Sequence, residues 1–388
     1  MKEGWEYNKI GKLCKTYSGG TPLKNVKEYY QNGNIPWLRS GEVCKKYISE
    51  TEMFITQKGL ENSSAKYYPI DTVVVAMYGA TAAQVGILKI EATSNQAVCG
   101  ILPNRKFLPE FLYYFFCYRK EFLASQAQGG AQPNISQVKI KNLEVPVPPL
   151  SEQQRIVDYL DAAFAKIDAM KANAEKSLNE AKALFQASLK EMLEPKEGWE
   201  EKKMSSLYDV RDGTHDSPKY QDKGYPLVTS KNLKGGILDM SNVNFISESD
   251  YKAINSRSKV DIGDVLFAMI GTIGNPVYVE EEPNYAIKNM ALFKVPREQS
   301  GEFLRYYLLN NIILSKMQSE AKGTTQKFVS LGYLRNFLIS LPPLSEQQSI
   351  VATLDSLKSK VDRLQANYEK ISQECDALKQ AILRKVFE

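Results

Sequence analysis

From residue 150 onward, apolar side chains return every three or four positions, at Ile156, Leu160, Ala163, Ile167, Met170, Ala174, Leu178, Ala181, Phe185, Leu189 and Met192. That spacing keeps one stripe on one side of a helix and predicts an unbroken helix of about 43 residues, ending at Pro195. A second run, Ile350, Leu354, Leu357, Val361, Leu364, Tyr368, Ile371, Cys375, Leu378, Ile382 and Val386, carries a similar seam to the last residues with no proline or glycine inside it. A sustained period near 3.5 is a coiled-coil pattern, and a lone apolar stripe needs a partner. At 1.5 Å per residue each helix spans roughly 65 Å. Both runs open on Pro-Pro-Leu-Ser-Glu-Gln-Gln, at Pro148 and Pro342. There Ser151 and Ser345 are expected as N-caps, with Gln154 and Gln348 closing capping boxes.

The stretches before these helices have a different rhythm. Val73-Val74-Val75-Ala76, Val85-Gly86-Ile87-Leu88 and Asp264-Val265-Leu266-Phe267-Ala268 are short apolar runs bounded by turn residues and predict strands. One amphipathic helix is expected over about residues 110–126 and another over about 302–319. The expected fold is therefore a pair of α/β (α+β) globular domains alternating with two long helices.

The alternation is a duplication. The heptapeptide at 148 and that at 342, like Lys-Glu-Gly-Trp-Glu at 2 and at 196, are separated by 194 residues, half of the 388 in the chain. Weaker matches keep the same order: Ile35 to Ser40 with Tyr225 to Ser230, Ala76-Met77-Tyr78-Gly79 with Ala268-Met269-Ile270-Gly271, and Glu110-Phe111-Leu112 with Glu302-Phe303-Leu304. A period this long means repeated domains, not a solenoid. The expected division is 1–147, a helix at 148–194, 195–341, and a helix at 342–388. If each domain has its entry and exit close together, the second helix starts where the first stops, and the two pair antiparallel in a pseudo-twofold molecule.

Composition narrows the class. Of the residues 43% are hydrophobic and 24% charged, ordinary for a globular protein. No 18-residue apolar run and no signal-peptide pattern is present, so no membrane partner and a cytoplasmic location are expected. The five cysteines form no C-x-x-C pair and are expected as reduced thiols. Lys and Arg exceed Asp and Glu by six in residues 1–147 and by one in 195–341, whereas the helical stretches carry −2 and 0. A polyanion would meet the globular parts first.

Their loops carry the side-chain types that read base edges or hold phosphates, Arg suiting guanine and Asn or Gln adenine. In the first copy the candidates are Arg39, Ser40, Lys45, Lys46, Tyr78 and Thr81, with Gln84, Asn95, Gln96, Gln132 and Asn134. In the second they are His215, Lys219, Ser230, Lys231, Asn232 and Lys234, with Thr272, Asn275, Lys288, Asn289, Gln326 and Lys327. Catalytic chemistry finds less support. A single histidine leaves little scope for His-based triads or multi-His metal sites, and no phosphate-binding or dinucleotide glycine motif occurs. Asn275-Pro276-Val277-Tyr278 departs from the Asn-Pro-Pro-Tyr box of adenine methyltransferases at its second proline and has no glycine-rich cofactor loop beside it. No catalytic residue and no metal ligand is assigned.

The duplicated Pro-Pro-Leu-Ser-Glu-Gln-Gln helices, the Gly-Trp-Glu openings, Ala76-Met77-Tyr78-Gly79-Ala80-Thr81 and Gly129-Gly130-Ala131-Gln132 together resemble the specificity subunit of type I restriction-modification enzymes across the whole chain. The resemblance implies a non-catalytic reader of double-stranded DNA with two target recognition domains, one for each half of an interrupted site. The paired helices are then a ruler and a docking surface for two methyltransferase subunits, and a restriction and translocase subunit joins the full complex. S-adenosylmethionine, ATP and magnesium are expected on those partners, and no cofactor on this chain. Identical helix openings offer two copies of one surface to two copies of one partner; Leu150, Glu152, Gln153, Leu344, Glu346 and Gln347 are the residues expected there. The competing expectation is a coiled-coil scaffold with two globular heads and no DNA specificity.

Overall fold

A computed structural model of the chain describes residues 4–126, 134–323 and 327–388. It divides into two compact units, Met1–Asn173 with Glu369–Glu388, and Ala174–Tyr368. In the first, the strand Val73–Ala76 is buried along its whole length, so both faces are covered. Val73 and Val75 join Phe111, Phe115 and Leu160 in one core, while Val74 and Ala76 face Leu38, Val43 and Val98 in another. The strand is central in a five-stranded sheet ordered Thr16–Ser18, Val98–Ile101, Val73–Ala76, Val85–Leu88, Tyr47–Ile48. A three-stranded sheet, Phe54–Ile55, Ile35–Leu38, Thr93–Ser94, lies beside it, its second pair parallel.

The second unit repeats the plan with other letters. Val265 and Phe267 enter the core that holds Phe303, Tyr307 and Leu354, whereas Leu266 and Ala268 face Val228, Leu233 and Met290. The sheet order is Asp209–Asp212, Met290–Lys294, Val265–Ala268, Gly274–Tyr278, and the smaller sheet is Asn244–Ile246, Tyr225–Thr229, Ala286–Lys288, its second pair again parallel.

Two expected helices are each divided. The first is Pro109–Tyr118 followed by Lys120–Ser125, with a turn at Arg119 that brings Leu123 into the same core. The second is Gly301–Leu309 followed by Asn311–Ser319. Asn310 leaves the helical region (ψ 121°), and its side chain accepts the Ile312 amide. An amide side chain placed as a cap starts a new helix instead of continuing the old one.

Both long helices form without interruption, Leu150–Met192 and Leu344–Phe387. In the first unit Asp168 pairs with Lys379 and Lys171 with Asp376, so one number rises as the other falls and the segments are antiparallel. Ile167 O meets Cys375 Sγ between them. In the second unit Lys182 Nζ donates to Gln365 Oε1 at 2.8 Å, and Phe185 and Leu189 share a core with Leu354 and Ile350, again antiparallel.

The helix starts differ from expectation. Gln153 N bonds to Pro149 O and Gln347 N to Pro343 O, both at 3.0 Å, so the carbonyls of Pro149 and Pro343 accept the first helical bonds. Ser151 and Ser345 are thus already inside the first turn and are not caps. Gln154 reaches forward to Asp158 at 2.8 Å and closes no capping box.

Candidate nucleic-acid interface

In the first unit the outer strand Thr16–Ser18 runs into Gly19 and Gly20, whose amides bond to Val98 O and Ser94 O at 3.2 and 2.8 Å. A Cβ on Gly19 would lie 2.2 Å from Ser94 O, so the close approach requires glycine. Thr21 is thereby laid beside the 94–98 loop, where its hydroxyl donates to Gln96 Oε1. Tyr30 and Trp37 hold the loop from below: Trp37 Nε1 donates to Gly20 O at 2.9 Å and Tyr30 Oη to Pro22 O at 2.6 Å. These groups, with Lys24, Lys27, Gln31, Arg39 and Asn95, line a cleft of about 760 Å³. The Arg39 guanidinium rests on Glu42 and Glu52 at its rim.

The opposite side of the 94–98 loop is bounded by the end of the central strand. Met77 N bonds to Ala97 O at 2.8 Å, and the next residue, Tyr78, bridges Asn134. Thr81 bonds back to Tyr78 O at 3.3 Å, and Gln84 N to Thr81 O at 3.0 Å. Arg39, Asn95 and Gln96 thus gather in the cleft, and Tyr78, Thr81, Gln84 and Asn134 around the adjoining turn. Ser40 begins the short turn Ser40–Glu42, and Lys45 is exposed beyond it.

The second unit builds the same corner. Gly213 N bonds to Met290 O and Thr214 N to Ile287 O, each at 3.0 Å, and a Cβ on Gly213 would lie 2.4 Å from Ile287 O. His215 then stands where Thr21 stands in the first unit, with Nδ1 2.9 Å from Asn289 Oδ1 and Nε2 2.8 Å from Asp212 Oδ2. Oxygen on both ring nitrogens suits the doubly protonated imidazolium. These bonds raise the His215 pKa above the usual histidine value, while Arg257 opposes them. Ser230 Oγ donates to Asn289 O at 2.8 Å, and Gly271 N bonds to Lys327 O at 3.0 Å, which brings Thr272 and Lys327 to one turn. Asn275 follows in the strand Gly274–Tyr278 with φ +48°. Lys219 and Lys231 are exposed.

Several expected readers are committed elsewhere. Lys46 points at the helix, pairing with Asp161 and lying 3.3 Å from Tyr114 Oη. Asn232 is 5% exposed, accepts from Thr229 N and donates to the carbonyls of Asp239 and Asn242, so it staples a turn. Lys288 is 8% exposed and donates to Ser217 Oγ at 2.6 Å. Lys234 pairs with Asp239 at 2.6 Å, and with the Ser241 contacts holds that carboxyl well below the usual range. Gln132 and Gln326 lie outside the described residues.

At the helix starts the repeated motifs meet one another. Trp5 Nε1 donates to Glu152 Oε1 at 3.2 Å in the first unit, and Trp199 Nε1 to Glu346 Oε1 at 3.3 Å in the second. Gln153 and Gln347 turn inward, 0% and 2% exposed. Gln153 accepts from Leu108 N and donates to Lys106 O and Pro148 O; Gln347 accepts from Ser300 N and donates to Pro342 O. In this fold neither amide is available to a partner, because each satisfies buried backbone groups of its own unit. Leu150 and Leu344 are outward, 47% and 36% exposed.

Residues 2–180 and 196–373 both match the family model described as the type I restriction modification DNA specificity domain. The chain belongs to this family. Of similar proteins, the EcoKI specificity subunit of Escherichia coli K12 is 24% identical over all of this chain and 89% of its own length. The MjaIX specificity subunit of Methanocaldococcus jannaschii is 25% identical over 93% of this chain and 88% of its own. The EcoR124I/EcoR124II specificity subunit of Escherichia coli is 31% identical over 42% of this chain and 41% of its own. Among solved structures, a chain from work on complex assembly and conformational transition of the type I R-M system superposes with TM-score 0.78 at 23% identity, covering 100% of this chain and 98% of that one. The HsdS subunit of Thermoanaerobacter tengcongensis gives 0.56 at 21%, covering 100% and 97%.

The two specificity domains also share features that the sequence pattern did not single out. Asp161 accepts from Tyr114 Oη and pairs with Lys46; its counterpart 194 residues on, Asp355, accepts from Tyr306 Oη and pairs with Arg305. Thr21, Lys24, Lys27 and Gln31 line the cleft and are not among the expected readers. Applying the 194-residue offset to Gly19 leads to Gly213 and so to the pair Thr21 and His215, a signal present in the repeat.

Proposed function

We propose that the chain is the DNA-reading specificity subunit of a type I restriction-modification system, itself non-catalytic, that reads a bipartite site in double-stranded DNA with one half per unit. In this reading 1–147 and 195–341 are target recognition domains and 148–194 and 342–388 are spacer helices. The observation that carries it is the duplicated corner: in each unit a glycine-dependent loop presses against a second loop that carries Gln96 or Asn289, within a family model that matches both copies. Different side chains on one repeated frame suit two different half-sites. The scaffold reading gives no reason for that frame and is disfavoured by the family match.

Leu150, Glu152, Leu344 and Glu346 are proposed to form two equivalent docking surfaces for two methyltransferase subunits, which bring S-adenosylmethionine. A restriction and translocase subunit brings ATP and magnesium. Gln153 and Gln347 support those surfaces from within. Of the expected readers, Arg39, Ser40, Lys45, Tyr78, Thr81, Gln84, Asn95, Gln96 and Asn134, with His215, Lys219, Ser230, Lys231, Thr272, Asn275, Asn289 and Lys327, remain candidates for DNA contact. To test the reading, the chain is co-expressed with its methyltransferase partner and modified adenines are mapped across a genome. A two-part motif that disappears when this chain is deleted is expected; modification without sequence preference would sink the proposal.

A further inference from the structure

Resting on that reading, we infer that Gln96 and Asn289 are equivalent base readers, one per half-site, each reading the major-groove edge of an adenine, and that Thr21 and His215 are the positioning residues that set the amide's orientation. Four observations converge on these positions. The loops holding Thr21 and His215 leave equivalent outer strands, and both are pressed by a glycine amide against the loop that carries the amide residue. In both units a side chain of the first loop binds the amide oxygen of the second, Thr21 Oγ1 to Gln96 Oε1 and His215 Nδ1 to Asn289 Oδ1. Among the described residues the NH2 groups of both amides make no hydrogen bond, and Gln96 is exposed while Asn289 is half-buried. Asn289 holds a left-handed backbone (φ +55°), and Ser230 Oγ fixes its carbonyl.

The chemistry follows from lone pairs. A carboxamide reads adenine by accepting from N6-H and donating to N7. Oδ1 or Oε1 has two lone pairs, so a bond from Thr21 or His215 consumes one and leaves the other for N6-H. The His215 imidazolium can only donate, so its bond also decides which end of the Asn289 amide is oxygen and leaves the NH2 group aimed at N7; the Thr21 hydroxyl, with its proton on Gln96 Oε1, holds Gln96 in the same arrangement. An amide free to flip presents the reverse pattern half of the time; a pinned one does not.

The test uses the full chain assembled with its methyltransferase partner and a randomised duplex library. The wild-type complex yields a reference motif, and Gln96→Ala, Asn289→Ala, Thr21→Val, Thr21→Ser and His215→Leu are then selected in parallel. Gln96→Ala is expected to lose roughly 10- to 100-fold in affinity for the reference site and to relax one A·T position in one half alone. Asn289→Ala relaxes one position in the other half. Thr21→Val relaxes the same position as Gln96→Ala, Thr21→Ser restores it, and His215→Leu relaxes the position read by Asn289, outcomes that a merely structural role does not produce. Unchanged base preference in Gln96→Ala and Asn289→Ala complexes that still select a motif overturns this inference alone. A wild-type complex that selects no motif overturns the proposed function and this inference with it.

Discussion

His215 is the only histidine in the chain, so its titration can be read without assignment ambiguity. The ring faces Asn289 and Asp212, with Arg257 opposing; Asp216 and Asp250 line the same depression, and Lys288 ends on Ser217 beside it. Because the folded pKa is raised, the stabilisation from the charged ring is fully present below the unfolded value near 6.5 and is lost as pH rises through the folded value above it. With 60% of the side chain exposed, the effect on stability is small. The neutral ring keeps one N–H; held on Nε2 by the Asp212 carboxylate, that proton leaves Nδ1 with nothing to donate to the Asn289 amide oxygen. Imidazole resonances followed by NMR should titrate above pH 6.5; a midpoint at or below that value would remove the imidazolium from the account. The cysteines provide a second residue-level prediction. Burial pushes the thiols of Cys14 and Cys117 up to about 11 and that of Cys99 to about 12, and Cys375 is buried, while Cys44 is exposed. A thiol reagent at neutral pH should label Cys44 fast and the buried Cys14, Cys99 and Cys375 only after unfolding, as peptide mass spectrometry will show.

At the scale of elements, the long helices owe their placement to buried amides as much as to their seams. Replacing Gln153 by Leu strands the Leu108 amide and the carbonyls of Lys106 and Pro148. Such groups left unpaired cost about 1–3 kcal/mol each before relaxation, so a net loss of roughly 3 kcal/mol is expected. Gln347→Leu should behave alike, whereas the exposed neighbour Gln154→Ala should stay within about 0.5 kcal/mol; denaturant unfolding monitored by far-UV circular dichroism separates them. Leu160→Ala and Leu354→Ala, both at 0% exposure, should each cost about 2–5 kcal/mol. These helices were legible because a heptad is a local code, and Val73–Ala76 and Val265–Ala268 because a fully apolar run has few other uses. Where a residue type admits two local roles, the pattern misled. Ser151 could cap, but Pro149, two residues earlier, holds the N-cap position and its carbonyl accepts the first helical bonds, and Asn310 could continue a helix but caps a new one. Asn232 had the composition of a base reader, and only its contacts with residues 229, 239 and 242 reveal a staple. The bond from Trp5 to Glu152 joins residues 147 apart, a distance no periodicity reports.

At the scale of the whole chain, the duplication is not cut where the sequence repeats. The first unit is discontinuous and takes in Glu369–Glu388, whereas the second, Ala174–Tyr368, is one stretch. The last residues fill space that nothing else fills: Leu383, Val386 and Phe387 are at most 8% exposed, and the Phe387 ring stacks on Tyr118 at 5.5 Å and tilts against Phe111 at 5.5 Å. Burying a side chain of this kind is worth about 1.5–3 kcal/mol, so deleting residues 382–388 should remove roughly 6 kcal/mol from the first unit. Whole domains are held by only about 5–15 kcal/mol, which puts that unit near its threshold. None of the deleted residues belongs to the core of the second unit, which holds Phe185, Leu189, Phe303 and Leu354. Hydrogen exchange on the truncated chain should therefore show lost protection in Pro109–Tyr118 and Val73–Ala76, with Gly301–Leu309 and Val265–Ala268 close to wild type. Uniform loss across both sets would mean that the two copies do not fold as separate units. Equal protection in both would mean that the C-terminal residues are a decoration and not part of the first core. If only the first unit fails, one of the two reading corners is lost while the other keeps its frame, and a two-part methylation motif should disappear although a single half-site is still bound.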